Sequence, residues 1–183
     1  MRIIAGEFRS RKLKTLEGDA TRPTSDRVKE AIFSSIGPYF KGGCVLDLFA
    51  GSGAIGLEAL SRGMEQAYFA DASNEAVPVI YDNIRSLGVE ERCTVWKMDF
   101  IQVLKRCMTL DVQFDLIYID PPFKKQQNDI VLETIDVFDL LKGKGKIIVE
   151  STVEDSFKEA YGKIRKIKEV EYGKIKVSYY GKE

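Results

Sequence analysis

Asp120-Pro121-Pro122-Phe123 follows the apolar run 114–119, and two successive prolines strip that stretch of backbone N–H donors. What remains are carbonyl oxygens and the Asp120 carboxylate, all of them acceptors. An acceptor-only loop suits an exocyclic aromatic amine, whose nitrogen lone pair is delocalised into its ring and is a poor nucleophile. Gripping both amine hydrogens favours a pyramidal nitrogen, localises the lone pair and stabilises the positive charge that grows as a methyl group arrives. Phe123 offers a face on which a base can stack, an interaction worth about 1–3 kcal/mol. A rigid turn ending in a core phenylalanine is the plainer alternative. The position after a strand, at the edge where ligands gather in α/β sheets, favours the chemical one.

A second group lies earlier. Gly51-Ser52-Gly53-Ala54-Ile55-Gly56 is a literal G-x-G-x-x-G after the apolar run that begins at Val45, a turn that lets a ligand approach the backbone and the first N–H groups of a helix. Asp71 falls about twenty residues on, where a carboxylate takes the ribose hydroxyls of an adenosine group. A nicotinamide or flavin cofactor fits that pairing as well as any adenosine cofactor does. Asp47 separates the classes. Just before the glycine turn it would repel a passing pyrophosphate, whereas it attracts the sulfonium and ammonium groups of S-adenosylmethionine. Asp99, followed by Phe100, suits an adenine amino group with the ring beside it, and suits equally the N-cap of the next helix.

Composition removes other chemistries. With no histidine, a Ser-His-Asp or Cys-His mechanism is excluded and a zinc site is not expected. Cys44, Cys93 and Cys107 are odd in number, lack C-x-x-C spacing and read as reduced core thiols. Lys+Arg and Asp+Glu both number 28, so any nucleic-acid surface must be a local patch. No run approaches the roughly 20 apolar residues of a membrane span, and no signal-like segment opens the chain. A cytoplasmic location is expected.

The elements that must position these residues alternate from Cys44 onward. Strands are expected near 44–49, 66–71, 93–98, 114–119 and 145–150, and helices near 53–62, 74–87, 99–108, 128–141 and 153–162. That order is the signature of a doubly wound parallel sheet whose loops collect along one edge. Residues 163–180 alternate without a helix and break at Tyr172-Gly173-Lys174, which predicts a closing hairpin with one antiparallel strand. Before the sheet, Thr24 or Ser25 can cap a helix after Pro23. Val28, Ala31, Ile32 and Ile36 would face inward, with Arg27, Lys29 and Glu30 outward. Residues 1–16 carry Arg2, Arg9, Arg11, Lys12 and Lys14 against Glu7 alone. They read as a small hairpin, either a solvated ribbon or a phosphate-contacting patch. A basic hairpin extension over 1–20 and one main domain over 21–183 are expected.

Residues 47–56 together with Asp120-Pro121-Pro122-Phe123 resemble the class I S-adenosylmethionine-dependent methyltransferases that modify exocyclic amines. Arg22-Pro23-Thr24-Ser25-Asp26-Arg27-Val28-Lys29-Glu30, Phe49-Ala50-Gly51-Ser52-Gly53 and Leu57-Glu58-Ala59-Leu60-Ser61-Arg62 are similar to one family within them, the bacterial small-subunit rRNA guanine-N2 methyltransferases D. The resemblance implies a Rossmann-like α/β fold with a seven-stranded, mostly parallel sheet, helices on both faces and a small N-terminal β-hairpin. It implies methylation of one guanine N2 in 16S rRNA, within the small ribosomal subunit or its assembly intermediate. Adenine N6 in DNA or RNA is the alternative, since the D-P-P-F tetrapeptide is shared with such enzymes. Carried onto this chain, Asp47, Ala50, Gly51, Gly53, Asp71, Asp99 and Phe100 would hold S-adenosylmethionine, and Asp120, Pro121, Pro122 and Phe123 would form the catalytic loop. Arg9, Arg11, Lys12, Arg22, Lys124 and Lys125 are the candidates for RNA phosphates. Many members have Glu where this chain has Asp71, a shorter acid that still reaches a ribose. A monomer without a metal is expected.

Overall fold

In the computed structural model, which describes residues 1–17, 24–122 and 127–182, the apolar runs pair as one sheet. Its strands are β1 (Cys44–Asp47), β2 (Gln66–Ala70), β3 (Cys93–Trp96), β4 (Phe114–Ile119), β5 (Leu141–Thr152), β6 (Ala160–Tyr161), β7 (Ile164–Tyr172) and β8 (Ile175–Lys182). Among the described residues five α-helices accompany them: α1 (Asp26–Ile36), α2 (Ala54–Ser61), α3 (Ala76–Leu87), α4 (Phe100–Thr109) and α5 (Asn128–Val137). The strand order is β3-β2-β1-β4-β5-β8-β7-β6. β1 is parallel to both β2 and β4, so the order reverses beside it and a crevice opens past the ends of β1 and β4. β8 inserts antiparallel between β5 and β7.

Burial on both faces explains why the central strands read as continuous apolar runs. Val45, Phe69, Leu116, Tyr118 and Ile148 point to one core, filled by α1, α2 and α3. Leu46, Leu48, Ala70, Ile117 and Ile119 point to the other, filled by α4 and α5. The N-terminal arms pair through Ile3 N–H to the Arg11 carbonyl and Leu13 N–H to the Met1 carbonyl, both 3.0 Å. Ile3 and Leu13 enter the first core, so this ribbon buries one face and leaves its basic face in solvent. Positions 18–20 of the predicted extension lie outside the described residues.

Three expectations are corrected. The sheet has eight strands where seven were expected, the addition being the two-residue β6 at its edge. No helix forms over 153–162. Instead β5 runs on to Thr152, whose N–H and hydroxyl both donate to the Asp155 carboxylate at 3.0 Å, folding the chain into a turn. Phe157 and Tyr161 are then buried against the second core. Lys29 does not face outward: it is 1% exposed, because its ammonium lies 3.3 Å from the buried Glu58 carboxylate and donates to the Arg2 carbonyl at 2.7 Å.

Candidate active site

Each parallel strand delivers an acid to the same edge. β1 ends in Asp47, which is 2% exposed and accepts from the Gly56 N–H at 3.1 Å, inside the first turn of α2. Burial pushes its carboxyl up to about 7; the Gly56 N–H pulls the other way, and the charge of Asp71 adds to the rise. Gly51 and Gly53 take left-handed backbone, with φ of 57° and 84°, which a side chain would strain. A Cβ at Gly56 would stand 2.4 Å from a ring carbon of Phe69, so the third glycine lets α2 lie close on β2. Asp71 accepts from the Gly51 and Ser73 N–H groups, both at 2.9 Å, and so ties the end of β2 to the glycine turn. From α3, the Asn83 amide donates to the Ser52 carbonyl at 2.9 Å and to the Lys14 carbonyl at 3.0 Å, joining turn and N-terminal ribbon.

Beyond β3, Asp99 accepts from the Gln102 N–H at 3.0 Å as the N-cap of α4. It also lines the crevice, so its two expected roles are compatible. The Phe100 ring lies 5.7 Å from that of Phe49. After β4 come Asp120, Pro121 and Pro122. A cavity of about 520 Å³ is bounded by Asp47, Ala50, Gly51, Asp71, Asp99, Phe100, Asp120, Pro121 and Pro122 together. Gly53 stands behind this wall as the residue preceding α2. Phe123, Arg22, Lys124 and Lys125 lie outside the described residues. Arg9, Arg11 and Lys12 are exposed on the ribbon rather than in the cavity wall, and the Arg11 guanidinium donates to the Ser86 carbonyl at 2.6 Å.

Several residues of this region were not assigned to the site by the sequence reading, and four of them bear on its chemistry. Thr24, Lys29 and Tyr118 line the cavity, and Glu150, 3% exposed, lies behind it. The Glu150 carboxylate accepts from the Thr24 hydroxyl at 2.9 Å and from the Tyr118 hydroxyl. A signal for Glu150 was present, because it closes the apolar run Ile147-Ile148-Val149 just as Asp120 closes that of β4. Burial raises the Asp120 carboxyl well above the usual range, and the charges of Glu150 and Asp47 raise it further. Burial raises Glu150 as well, opposed by the bonds from Tyr118 and Thr24. Among the described residues no group of three or more His, Cys, Asp or Glu side chains is placed to hold a metal ion. Nor, among those residues, is any helix long and apolar enough to cross a membrane.

The family model described as conserved hypothetical protein 95 matches residues 1–181. A Bacillus subtilis protein named "Putative rRNA methyltransferase YlbH" is 39% identical over 182 residues, covering 100% of this chain and 99% of that one. "Ribosomal RNA small subunit methyltransferase D" of Haemophilus influenzae is 34% identical over 152 residues, covering 82% of this chain and 78% of that one. The solved structure "Putative methyltransferase yhhF from Escherichia coli" superposes with a TM-score of 0.87 at 29% identity, covering 100% of this chain and 98% of that one. The acids at the strand ends, the glycine turn and the Asp120 loop thus sit in a class I methyltransferase sheet, and the chain belongs to the conserved hypothetical protein 95 family and is a relative of the small-subunit rRNA methyltransferases D.

Proposed function

We propose that this protein transfers a methyl group from S-adenosylmethionine to the N2 amine of one guanine in 16S rRNA. The observation that carries this reading is a single cavity bounded both by a buried carboxyl beneath a glycine turn, Asp47, and by an acceptor loop, Asp120-Pro121-Pro122. The names of the relatives supply the class of RNA, and the acceptor loop supplies the class of atom. At about 520 Å³ the cavity is of the size that holds small molecules. Its acids and the Phe49–Phe100 aromatic pair suit a cationic adenosine cofactor.

S-adenosylmethionine, when bound, supplies an electrophilic methyl group on a sulfonium. Asp47 holds the cationic end and is charged in doing so. Asp71 takes the ribose hydroxyls, its two oxygens already oriented by Gly51 and Ser73. Asp99 and Phe100 flank the adenine. Asp120 and the Pro121 carbonyl accept the two hydrogens of the guanine amine, aim its lone pair into the cavity and stabilise the charge that develops there. Phe123, outside the described residues, is the residue to which the resemblance assigns stacking on the base. No step requires a metal or a covalent enzyme intermediate. A guanine inside a paired helix could not enter such a pocket, so the target lies in a loop or is flipped out.

The test is mass spectrometry of nucleosides from 16S rRNA of a strain lacking the gene. Naked rRNA and small-subunit particles are each compared before and after treatment with the purified protein and S-adenosylmethionine. N2-methylguanosine should be restored at one site by the wild type and not by Asp120→Ala. Absence of any gain would overturn the guanine assignment, and N6-methyladenine appearing in DNA or RNA would move the reaction to adenine.

A further inference from the structure

β4 and β5 are parallel with Ile119 beside Val149. One residue further, that register sets Asp120 next to Glu150, on the sheet face that also carries Tyr118 two places earlier. Glu150 is 3% exposed, and its Oε2 accepts from both Thr24 and Tyr118. Among the described residues no cation pairs with Glu150 or Asp120. Lys29, which lines the same cavity, is engaged with Glu58 at 3.3 Å and with the Arg2 carbonyl. The other charge acting on Asp120 is that of Asp47, also negative. Two adjacent carboxyls without a cation, Glu150 buried and Asp120 partly exposed to the cavity, resist ionising together, so the second loses its proton only at a higher pH. The asymmetry lies in their donors: Glu150 receives two hydroxyls, whereas Asp120 faces the open cavity.

We propose that Asp120 and Glu150 form a coupled two-carboxyl site that takes up one shared proton in mild acid, that Thr24 and Tyr118 keep Glu150 as the charged partner so that this proton binds Asp120, and that Asp120 acts in transfer only after releasing it. The proposal rests on the reading that Asp120 faces the target amine. Burial and the charge of Glu150 lift the Asp120 carboxyl, whereas the two hydroxyls restrain Glu150. In transfer, the N–C bond forms as the S–C bond of the donor breaks, with its electron pair staying on sulfur. One N–H proton of the resulting cationic amine passes to Asp120, and the N–H electrons remain on nitrogen as the lone pair. Glu150 touches neither base nor methyl donor. It is a positioning residue: its fixed charge makes Asp120 a better proton acceptor, at the cost of Asp120 being protonated, and unable to accept, in mild acid.

The pH profile of kcat/KM for methyl transfer to undermodified small-subunit particles tests this. The wild type should lose activity along an acid limb centred above the usual carboxyl range. Glu150→Gln removes the fixed charge and should move that midpoint down by about one pH unit or more. Tyr118→Phe should move it the same way, because Glu150 then takes the shared proton and leaves Asp120 ionised. A merely structural role would lower the rate at every pH with the midpoint unmoved. Carbon-13 NMR of the side-chain carboxyls in the full chain reads the same titration without RNA, with Asp120 assigned through Asp120→Asn. If no RNA is methylated, the function assignment fails while the NMR titration still decides the proton sharing. Asp120 titrating in the ordinary range, or an unmoved midpoint in both Glu150→Gln and Tyr118→Phe, would overturn the proposal; should Glu150→Gln fail to fold, Tyr118→Phe decides alone.

Discussion

Burying a carboxyl with no cation beside it costs stability, and among the described residues Asp47 is buried in that way. The N–H of Gly56 stabilises its charged form without outweighing the burial. The folded-state value of about 7 exceeds the ordinary 3.8, so between those values the native protein holds more protons than the unfolded chain. Stability therefore falls as pH rises through that window; the penalty is complete above about pH 7 and absent below about pH 4. Asp47→Asn should accordingly melt at a higher temperature than the wild type at pH 8, with the advantage shrinking to nothing by pH 4 in a thermal unfolding series. In calorimetry the same variant should bind S-adenosylmethionine about 10- to 100-fold more weakly, the worth of a hydrogen bond to a charged group. Equal melting temperatures at pH 8 would show that the charge is not borne. Asp47 was legible in the sequence because an acid that ends an apolar run before a glycine turn is conspicuous. Glu150 also ends an apolar run, but its pairing with Asp120 was not legible, because inter-strand register is written nowhere in a local pattern.

Elements are fastened to one another by a buried ionic cluster. Glu58 of α2 is 0% exposed and accepts from the Ile4 and Ala5 N–H groups at 2.9 and 3.2 Å. It also meets Lys29 of α1 at 3.3 Å and Arg62 at 2.8 Å. One carboxylate thus joins two helices to the N-terminal ribbon. Glu58→Gln leaves two buried cations facing a neutral amide and should cost about 3–5 kcal/mol in urea unfolding. Glu30→Gln, which removes the half-exposed partner of Arg62, should cost under about 1 kcal/mol. Similar losses in both would mean that the cluster is solvated. The cluster also explains why outward placement of Lys29 failed: charge alone predicts exposure, and a counter-charge from an element distant in sequence reverses it. Residues 153–162 failed for a related reason. Their spacing of apolar residues suits a helix, but Asp155 closes a turn on Thr152 and Tyr161 joins a strand. The parallel strands, the crevice and the closing hairpin of β7 and β8 were legible because continuous apolar runs, glycine turns and alternation are local signals, whereas the two-residue β6 depends on partners brought together by the fold.

At the scale of the whole molecule, equal numbers of acidic and basic residues leave no long-range field to gather RNA, so electrostatic binding depends on which local cations are free. The ribbon carries five early bases, but Arg2 pairs with Asp26 at 3.1 Å and Lys14 with Asp82 at 3.0 Å. Arg11 is turned onto the Ser86 carbonyl. Arg9 and Lys12 are exposed and, among the described residues, without an ion pair. If the ribbon touches rRNA phosphates, these two release counterions on binding while Arg2 and Lys14 exchange one partner for another. The Arg9→Gln/Lys12→Gln double variant should then flatten the plot of log binding constant against log salt by about two, roughly one for each phosphate that is no longer neutralised. Arg2→Gln should change it by much less. Filter binding to 16S rRNA across a salt series measures both slopes. An unchanged slope in the double variant would remove the ribbon from the RNA surface and leave the cavity rim as the place where the substrate is held. Equal changes in the two variants would instead mean that the ion pairs seen within the free protein give way when RNA binds.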